Sequence, residues 1–252
     1  MARTFTASSG QYLSNANALV TATALTMACW FKANDVTNQR SLISINDGTN
    51  DNRWWMLELR GHLAGDFVGA RTRAAGGDAA GVTSSGYTTG TWYHAVAVFT
   101  SATSRTCYLN GGNSGSDTTN LDPSAAVTTT TIAKRSTVGG GSDHMDGQIA
   151  EAAIWNLALG ANEIQALANG YPPTKIQSQA LKGYWPLGFS SPEVDWSGNG
   201  KTMALTGSPT ISDHAPVMPQ FGYDTGWQGA FTTAAAATTT QLQRRMLRGV
   251  GY

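Results

Sequence analysis

Charged side chains are scarce in this sequence of 252 residues, since only 13% of them are Asp, Glu, Lys or Arg. The 16 basic and 16 acidic residues cancel, so the formal net charge is zero. A chain without excess positive charge lacks the long-range field that attracts nucleic acid or anionic membranes. We therefore expect no nucleic-acid partner.

Long apolar runs are also missing, and none approaches the roughly 20 residues that a membrane-spanning helix requires. The first residues, MARTF, lack the basic segment and the following apolar segment of a secretory signal peptide. We expect neither membrane insertion nor a cellular secretory route.

Only two cysteines and four histidines are present. Cys29 and Cys107 each lie in an apolar, strand-like run, which favours buried free thiols over the alternative of a single inter-strand disulfide. His94 lies inside the strongest strand pattern, where a packed residue is expected rather than a catalyst. The sequence has no zinc-ligand spacing, no Ser-His-Asp order and no phosphate-binding loop.

Glycine and threonine are abundant, with 29 and 32 copies, and this combination favours short strands joined by tight turns. Apolar and polar residues alternate with the period of two that is typical of half-buried strands. This pattern predicts strands over 25–32, 41–45, 54–59, 63–68, 92–99, 106–109, 130–134 and 147–156. One helix is predicted over 162–168, where apolar residues recur at three-to-four spacing before an Asn-Gly stop.

Five of these segments, taken in order, resemble the LamG-like (concanavalin A-like lectin/glucanase) jelly-roll family. They are LTMACWFK at 25–32, GTWYHAVA at 90–97, CYLNG at 107–111, DGQIAEAAIWNLAL at 146–159 and GANEI at 160–164. The resemblance covers residues 3–171 and implies an all-β fold, a two-sheet antiparallel jelly-roll sandwich with one short helix.

The order of one segment departs from the family. Residues 185–200 are similar to a stretch that usually opens such domains, but here they follow the helix. They could be added strands of the same sandwich, a rearranged strand order or the start of a second module. We expect added strands over 181–211, because too few residues remain for another sandwich. The predicted organisation is a sandwich over 1–215 and an extended C-terminal arm over 216–252.

The glucanase branch of this family requires two carboxylates that face each other across a sugar-binding cleft. Asp146 and Glu151 offer two acids, directly before and within the predicted strand 147–156, but the middle acid of the family pattern is missing. A structural strand explains this stretch better, so we expect no enzyme activity.

Sugar binding without catalysis requires aromatic side chains beside hydrogen-bonding groups. Trp54, Trp55 and Tyr87 are the candidates for glycan binding. Adjacent residues in a strand point to opposite faces, so one tryptophan is expected in the core and the other outside. The outer one either stacks on a sugar or packs under a loop or the C-terminal block.

Calcium is the one candidate cofactor, because the family resemblance implies an ion at the edge of some sandwiches. Asp146, Asp195 and Asn199 lie in Asx-rich turns and are its candidate ligands. Such turns also form without metal, since Asn and Asp side chains cap their own backbone.

The last residues are an Ala/Thr-rich stretch followed by a basic end. This composition is typical of a disordered terminus, and a docking arm is the alternative. In the docking interpretation, apolar side chains anchor the arm and arginines pair with an acidic groove. The residues concerned are Leu242, Arg244, Arg245, Met246, Leu247 and Arg248.

Together these features suggest a non-enzymatic virion protein of the phage type, made in the host cytoplasm and displayed on the virion surface as a decoration or fibre-associated protein. Its expected partners are capsid or tail subunits, with weak binding to cell-surface glycans. The alternative is a stand-alone, extracellular carbohydrate-binding module, and a glycoside hydrolase is a remote third. The sequence does not indicate the oligomeric state.

Overall fold

Two antiparallel β-sheets face each other in a computed structural model that describes residues 1–50, 52–124, 126–136 and 142–217. The strands are β1 (Ala2–Phe5), β2 (Tyr12–Asn15), β3 (Leu25–Ala33), β4 (Gln39–Asn46), β5 (Trp54–Arg60), β6 (Phe67–Ala74), β7 (Gly77–Gly86), β8 (Tyr93–Ser101), β9 (Ser104–Leu109), β10 (Gly112–Asp117), β11 (Thr129–Ile132), β12 (Gly147–Trp155), β13 (Leu181–Trp185), β14 (Ala204–Thr206) and β15 (Thr210–Ser212). One α-helix, α1, spans Ala161–Ala168. The predicted two-sheet antiparallel sandwich with one short helix is confirmed for the described residues.

The first sheet has the strand order β10-β9-β8-β3-β12-β1-β15. Strand β13 also pairs with β12, next to the part of β12 that β1 leaves free. The second sheet has the order β14-β2-β11-β4-β5-β6-β7. Strands from the segment 181–211 therefore extend both sheets.

The core lies between the two sheets, where alternate residues of each strand meet. Strand β3 contributes Met27, Cys29 and Phe31 from the first sheet. Strand β5 contributes Trp55, Leu57 and Leu59 from the second, and all six are buried. Burial of each large apolar side chain stabilises the fold by about 1.5–3 kcal/mol, which explains why the alternation is strict.

Both cysteines are buried and free, as predicted. Cys29 lies on β3 opposite Ala95, and Cys107 lies on β9 opposite Ala97. Strand β8 therefore separates them, and two inter-strand spacings with an offset of two residues along the strand place their Cα atoms about 12 Å apart. A disulfide requires Cα atoms within about 7 Å, so the two thiols cannot pair without rearrangement of the sheet.

Helix α1 packs on the outer side of the first sheet. Its Ile164 and Leu167 are buried in a cluster that contains Trp155. The helix begins after Gly160, which has no side chain to cap it, and the Glu163 carboxylate accepts a hydrogen bond from the Gly160 N–H at 2.7 Å. This carboxylate satisfies one of the amide groups that helix starts leave unpaired.

The predicted strand over 63–68 is wrong. Leu63 lies in the turn after β5 and is 43% exposed, and the paired strand β6 begins only at Phe67. The turn is longer than the alternation suggested. The predicted arm over 216–252 lies outside the described residues, apart from 216 and 217. Within the described part of the chain, no helix is long and apolar enough to cross a membrane.

Candidate functional site

The outer face of the second sheet is polar and yet buried. Because Trp55, Leu57 and Leu59 point into the core, Trp54 and Glu58 on the same strand point outward. Polar side chains on this face are almost fully buried, namely Ser44, Asn46, Glu58 and Thr131. Burial of polar groups on a sheet face requires a cover that supplies hydrogen bonds.

That cover is residues 133–136, which directly follow β11. The carbonyl oxygen of Lys134 accepts hydrogen bonds from Ser44 Oγ at 3.0 Å and from Thr131 Oγ1 at 2.7 Å. The N–H of Ser136 donates to Asn46 Oδ1 at 2.8 Å. These bonds hold the segment against the sheet and explain why the polar face is closed here.

Beside this cover the face opens into a pocket of about 250 Å³. Strands β4, β5 and β6 and the covering segment each contribute to its walls. The lining residues are Gln39, Trp54, Arg71, Arg73 and Arg135. A concave site with an aromatic residue and a few polar groups is the usual form of a small-molecule site.

Trp54 is the aromatic residue of the pocket and is only 2% exposed. Arg71 and Arg135 place their Cζ atoms 5.1 and 5.4 Å from the centroid of the indole ring, within cation–π range. Its Nε1 is buried and has no hydrogen-bond partner among the described residues. The ring is therefore held by stacking rather than by a hydrogen bond.

Carboxylates outside the lining fix the arginines. Arg71 Nε donates to Asp78 Oδ1 at 2.7 Å, and Arg71 Nη1 lies 3.3 Å from Glu58 Oε2. Arg73 Nη1 lies 3.6 Å from Asp78 Oδ2, and Arg135 Nε donates to Asp143 Oδ2 at 2.9 Å. Guanidinium groups held in this way keep their orientation and lose less freedom when a ligand binds.

Glu58 is the buried acid beneath the arginines, with a side chain that is 0% exposed. Burial raises its pKa to about 7, although the charges of Arg71 and Arg60 oppose this shift. Its Oε2 accepts a hydrogen bond from Gln39 Nε2 at 2.6 Å. Gln39 therefore connects the pocket lining to a carboxyl group that gains or loses its proton near neutral pH.

The three aromatic residues predicted to bind a glycan are all buried, which favours the alternative that the outer tryptophan is packed under other residues over an exposed stacking platform. Trp55 points into the core against Phe99, with ring centroids 6.5 Å apart. Tyr87 is 2% exposed and contacts the edge of Phe31. Trp54 faces outward but lies under two arginines, and so it reaches the pocket only as part of its lining.

An exposed aromatic pair, Phe189 and Trp196, escaped the sequence analysis. Each is 48% exposed, and their ring centroids are 5.2 Å apart. Val194 beside them is 50% exposed. The signal in the sequence was Trp196 within the turn-rich segment Asp-Trp-Ser-Gly-Asn-Gly, because a large aromatic residue in such a turn has little structure to cover it.

The three candidate calcium ligands do not form one site. Asp146 directly precedes β12. The Asp195 carboxylate accepts a hydrogen bond from the N–H of Tyr184, and Tyr184 pairs with Ala153 near the other end of β12. Six residues of strand separate the two positions, about 20 Å. Among the described residues, no group of three or more His, Cys, Asp or Glu side chains could hold a metal ion.

The carboxylate of Asp195 organises its own turn. It accepts hydrogen bonds from the N–H groups of Ser197 and Lys201 and from Ser197 Oγ, at 2.8–2.9 Å. Asn199 Nδ2 donates to the carbonyl oxygen of Leu181 at 2.8 Å. The side chains of Asp195 and Asn199, which the calcium prediction required as ligands, are therefore engaged in hydrogen bonds within the protein.

Neither acid of the catalytic hypothesis is among the described residues that line the pocket. Glu151 accepts hydrogen bonds from Tyr184 Oη and His214 Nε2 on the outer side of the first sheet. His94 lies beside Trp30 at a ring distance of 5.3 Å, and burial lowers its pKa to about 3. His94 is therefore a neutral packed residue. The six predicted docking residues of the arm, Leu242, Arg244, Arg245, Met246, Leu247 and Arg248, lie outside the described residues.

A family model described as the concanavalin A-like lectin/glucanases superfamily matches residues 7–165. No curated protein matches the chain in sequence.

Three solved structures illustrate the likeness of the fold. A protein from Bacteroides ovatus, assigned to carbohydrate binding, has a TM-score of 0.61 at 13% identity. The matched region covers 83% of this chain and 61% of the Bacteroides protein. A heptameric SAP-like pentraxin from Limulus polyphemus has a TM-score of 0.52 at 16% identity, with 65% and 77% covered. Domain 4 of the GH43 extracellular arabinanase AbnA from Geobacillus stearothermophilus, in complex with arabinotriose, has a TM-score of 0.52 at 20% identity, with 60% and 69% covered.

Proposed function

Because the chain belongs to the concanavalin A-like lectin/glucanase superfamily, we propose that it binds carbohydrate and does not catalyse a reaction on it. Two of the similar structures support this proposal, since one is assigned to carbohydrate binding and another holds arabinotriose. Identities below 25% establish the fold alone, so the argument depends on the pocket.

The observation that carries the proposal is the pocket on the outer face of the second sheet. Sugar hydroxyl groups both donate and accept hydrogen bonds, and they require polar side chains held in fixed positions. Gln39 offers an amide, and the three arginines offer planar donor groups that carboxylates already orient. Trp54 adds an apolar wall.

The same geometry argues against hydrolysis at this site. Glycosidases use two carboxyl groups on opposite sides of the bond that is cleaved. The acids that pair with the lining arginines are Glu58, Asp78 and Asp143. Within the described part of the chain, none of the three belongs to the pocket lining, so none faces a bound sugar.

The virion function that the sequence first suggested depends on the C-terminal arm. The arm residues lie outside the described part of the chain, and none of the three structures compared with it is a capsid or tail protein. The carbohydrate-binding alternative has the better support.

The test is a glycan array with the purified full chain and three variants. Arg73→Ala and Gln39→Ala change the pocket lining. The control Arg53→Ala removes an exposed arginine that directly precedes β5 and does not belong to the described lining. We expect both pocket variants to weaken binding about tenfold, as the loss of one hydrogen bond of a charged or amide group predicts, and Arg53→Ala to bind normally. Circular dichroism confirms that each variant is folded.

Two results would contradict the proposal. The first is the absence of binding to any glycan on the array. The second is binding that Trp196→Ala abolishes and that the two pocket variants leave unchanged. In that case the aromatic pair Phe189 and Trp196 is the binding site.

A further inference from the structure

We propose that the pocket selects acidic sugars, and that its three arginines bind the negative group of the ligand. This inference rests on the proposed function, because it specifies the class of sugar that the same pocket takes. The chemistry is an anionic oxygen group on a sugar ring, either a carboxylate or a sulfate.

The lining is positively charged. Arg71, Arg73 and Arg135 are three of the five described lining residues, and none of the described lining residues is acidic. Arginine keeps its proton in proteins, so these charges are permanent at physiological pH. A neutral sugar does not require three cations around it, and burial of charged groups near a ligand is costly unless the ligand compensates them.

Positive charge exceeds negative charge around the lining. Among the described residues, the four guanidinium groups of Arg60, Arg71, Arg73 and Arg135 are within 4 Å of three carboxyl groups. The acids are Glu58, Asp78 and Asp143. This cluster therefore has one excess positive charge, and protonation of Glu58 increases the excess. An anionic ligand removes that imbalance.

Two of the lining arginines retain donor groups for a ligand. Arg135 donates through Nε to Asp143 and through Nη2 to Ser142, but its Nη1 makes no hydrogen bond within the described part of the chain. Arg73 has a side chain that is 33% exposed, and its hydrogen bonds to Asn52 are 3.2 and 3.4 Å long. Carboxylate and sulfate oxygens accept from such forked donors more strongly than hydroxyl groups do.

The size of the pocket limits the ligand to one ring at a time. Sites for drug-sized molecules have volumes of roughly 300–1,000 Å³. At about 250 Å³ this pocket fits a single sugar unit with its charged substituent, and the rest of an oligosaccharide remains outside.

The experiment compares acidic glycans with matched neutral ones. Uronate, sialylated and sulfated oligosaccharides are titrated against the full chain, together with the methyl ester or desulfated form of each. We expect at least one acidic glycan to bind about tenfold or more tightly than its neutral form, and the difference to shrink as salt is raised. The carboxylate and sulfate members identify which anionic group the pocket accepts.

Variants connect that selectivity to the pocket. Arg73→Ala reduces the preference for the acidic form, Arg73→Lys retains part of it because the charge remains, and Arg53→Ala leaves it unchanged. If the neutral forms bind as tightly as the acidic ones, the inference is wrong and the proposed function stands. If none of the glycans binds, the proposed function itself fails.

Discussion

Arg71 lies over the indole ring of Trp54, with its Cζ atom 5.1 Å from the ring centroid. The two residues are not direct partners across the strands, because Trp54 is opposite Arg73 and Arg71 is opposite Met56. The guanidinium thus crosses the sheet face diagonally, within the reach that long side chains have between diagonal neighbours. This contact fixes two lining residues of the pocket against each other.

The burial of Trp54 leads to a prediction about stability. Trp54→Ala is expected to lower the free energy of unfolding by about 3–5 kcal/mol, as measured by urea denaturation, because it leaves a cavity under the two arginines. Trp54→Phe should cost less, since phenylalanine keeps much of the apolar area and removes an N–H group that has no partner among the described residues. A loss of less than about 1 kcal/mol for Trp54→Ala would show that the ring is not packed as described.

Glu58 gives a prediction for pH. Burial raises its pKa from 4.5 to about 7, so the folded state holds this proton more tightly than the unfolded chain does. The stability that the proton contributes is complete below about pH 4.5 and is lost as the pH rises through about 7. Glu58→Gln cannot ionise, so its stability relative to the wild type should increase with pH by on the order of 3 kcal/mol across this range.

Unfolding measured at several pH values tests this expectation. The exposed Asp213→Asn is the control, and its difference from the wild type should not follow the same curve. A pH-independent difference between Glu58→Gln and the wild type would contradict the raised pKa. Arg60, Arg71 and Gln39 face the Glu58 carboxyl group, and they are unchanged in this comparison.

Arg3 and Glu193 form a buried ion pair between β1 and the segment that follows β13. Arg3 Nε lies 2.5 Å from Glu193 Oε1, and the two side chains are 5% and 1% exposed. Arg3→Met or Glu193→Leu alone should cost about 3–5 kcal/mol, because each leaves a buried charge without its partner. The double variant should cost less than the sum of the two, by at least about 1 kcal/mol. Additive losses in a double-mutant cycle would argue against the pair.

The turn of Asp195 predicts independence from calcium. Its carboxylate is saturated by backbone and hydroxyl donors, so millimolar calcium or a chelator should leave the melting temperature of the wild type unchanged. Asp195→Ala should lower the free energy of unfolding by about 1–3 kcal/mol, because buried N–H groups lose their acceptor. A rise in melting temperature with calcium that Asp195→Ala abolishes would restore the calcium prediction.

The sequence predicted the central strands well because their alternation is set by burial on one face. The expected strands 25–32 and 92–99 correspond to Leu25–Ala33 and Tyr93–Ser101. Strand β7 was not predicted, since Gly77–Gly86 is made mainly of small residues that show no alternation. Close packing against β9 requires the small residues, because a Cβ atom on Gly81 would be 2.8 Å from the carbonyl oxygen of Arg105 on that strand.

The pocket was harder to predict than the fold. Arg71 and Arg73 alternate in sequence, so a strand prediction over this stretch would have placed both on one face. Gln39 and Arg135 come from distant segments, and only the sheet order brings them to the same place. The burial of Trp54 depends on the cover that follows β11, and the sequence around Trp54 contains no information about that cover.

The position of β1 determines when the protein can fold as it is made. This strand lies between β12 and β15, with Arg3 opposite both Ile149 and Ile211. A ribosome that adds roughly 5–20 residues per second needs roughly 10–40 s to reach the second partner. The first strand has no neighbour until β12 has been synthesised, and the first sheet is completed only when almost all of the sandwich has been made. Such long-range pairing predicts slow folding and a nascent chain that requires protection from aggregation.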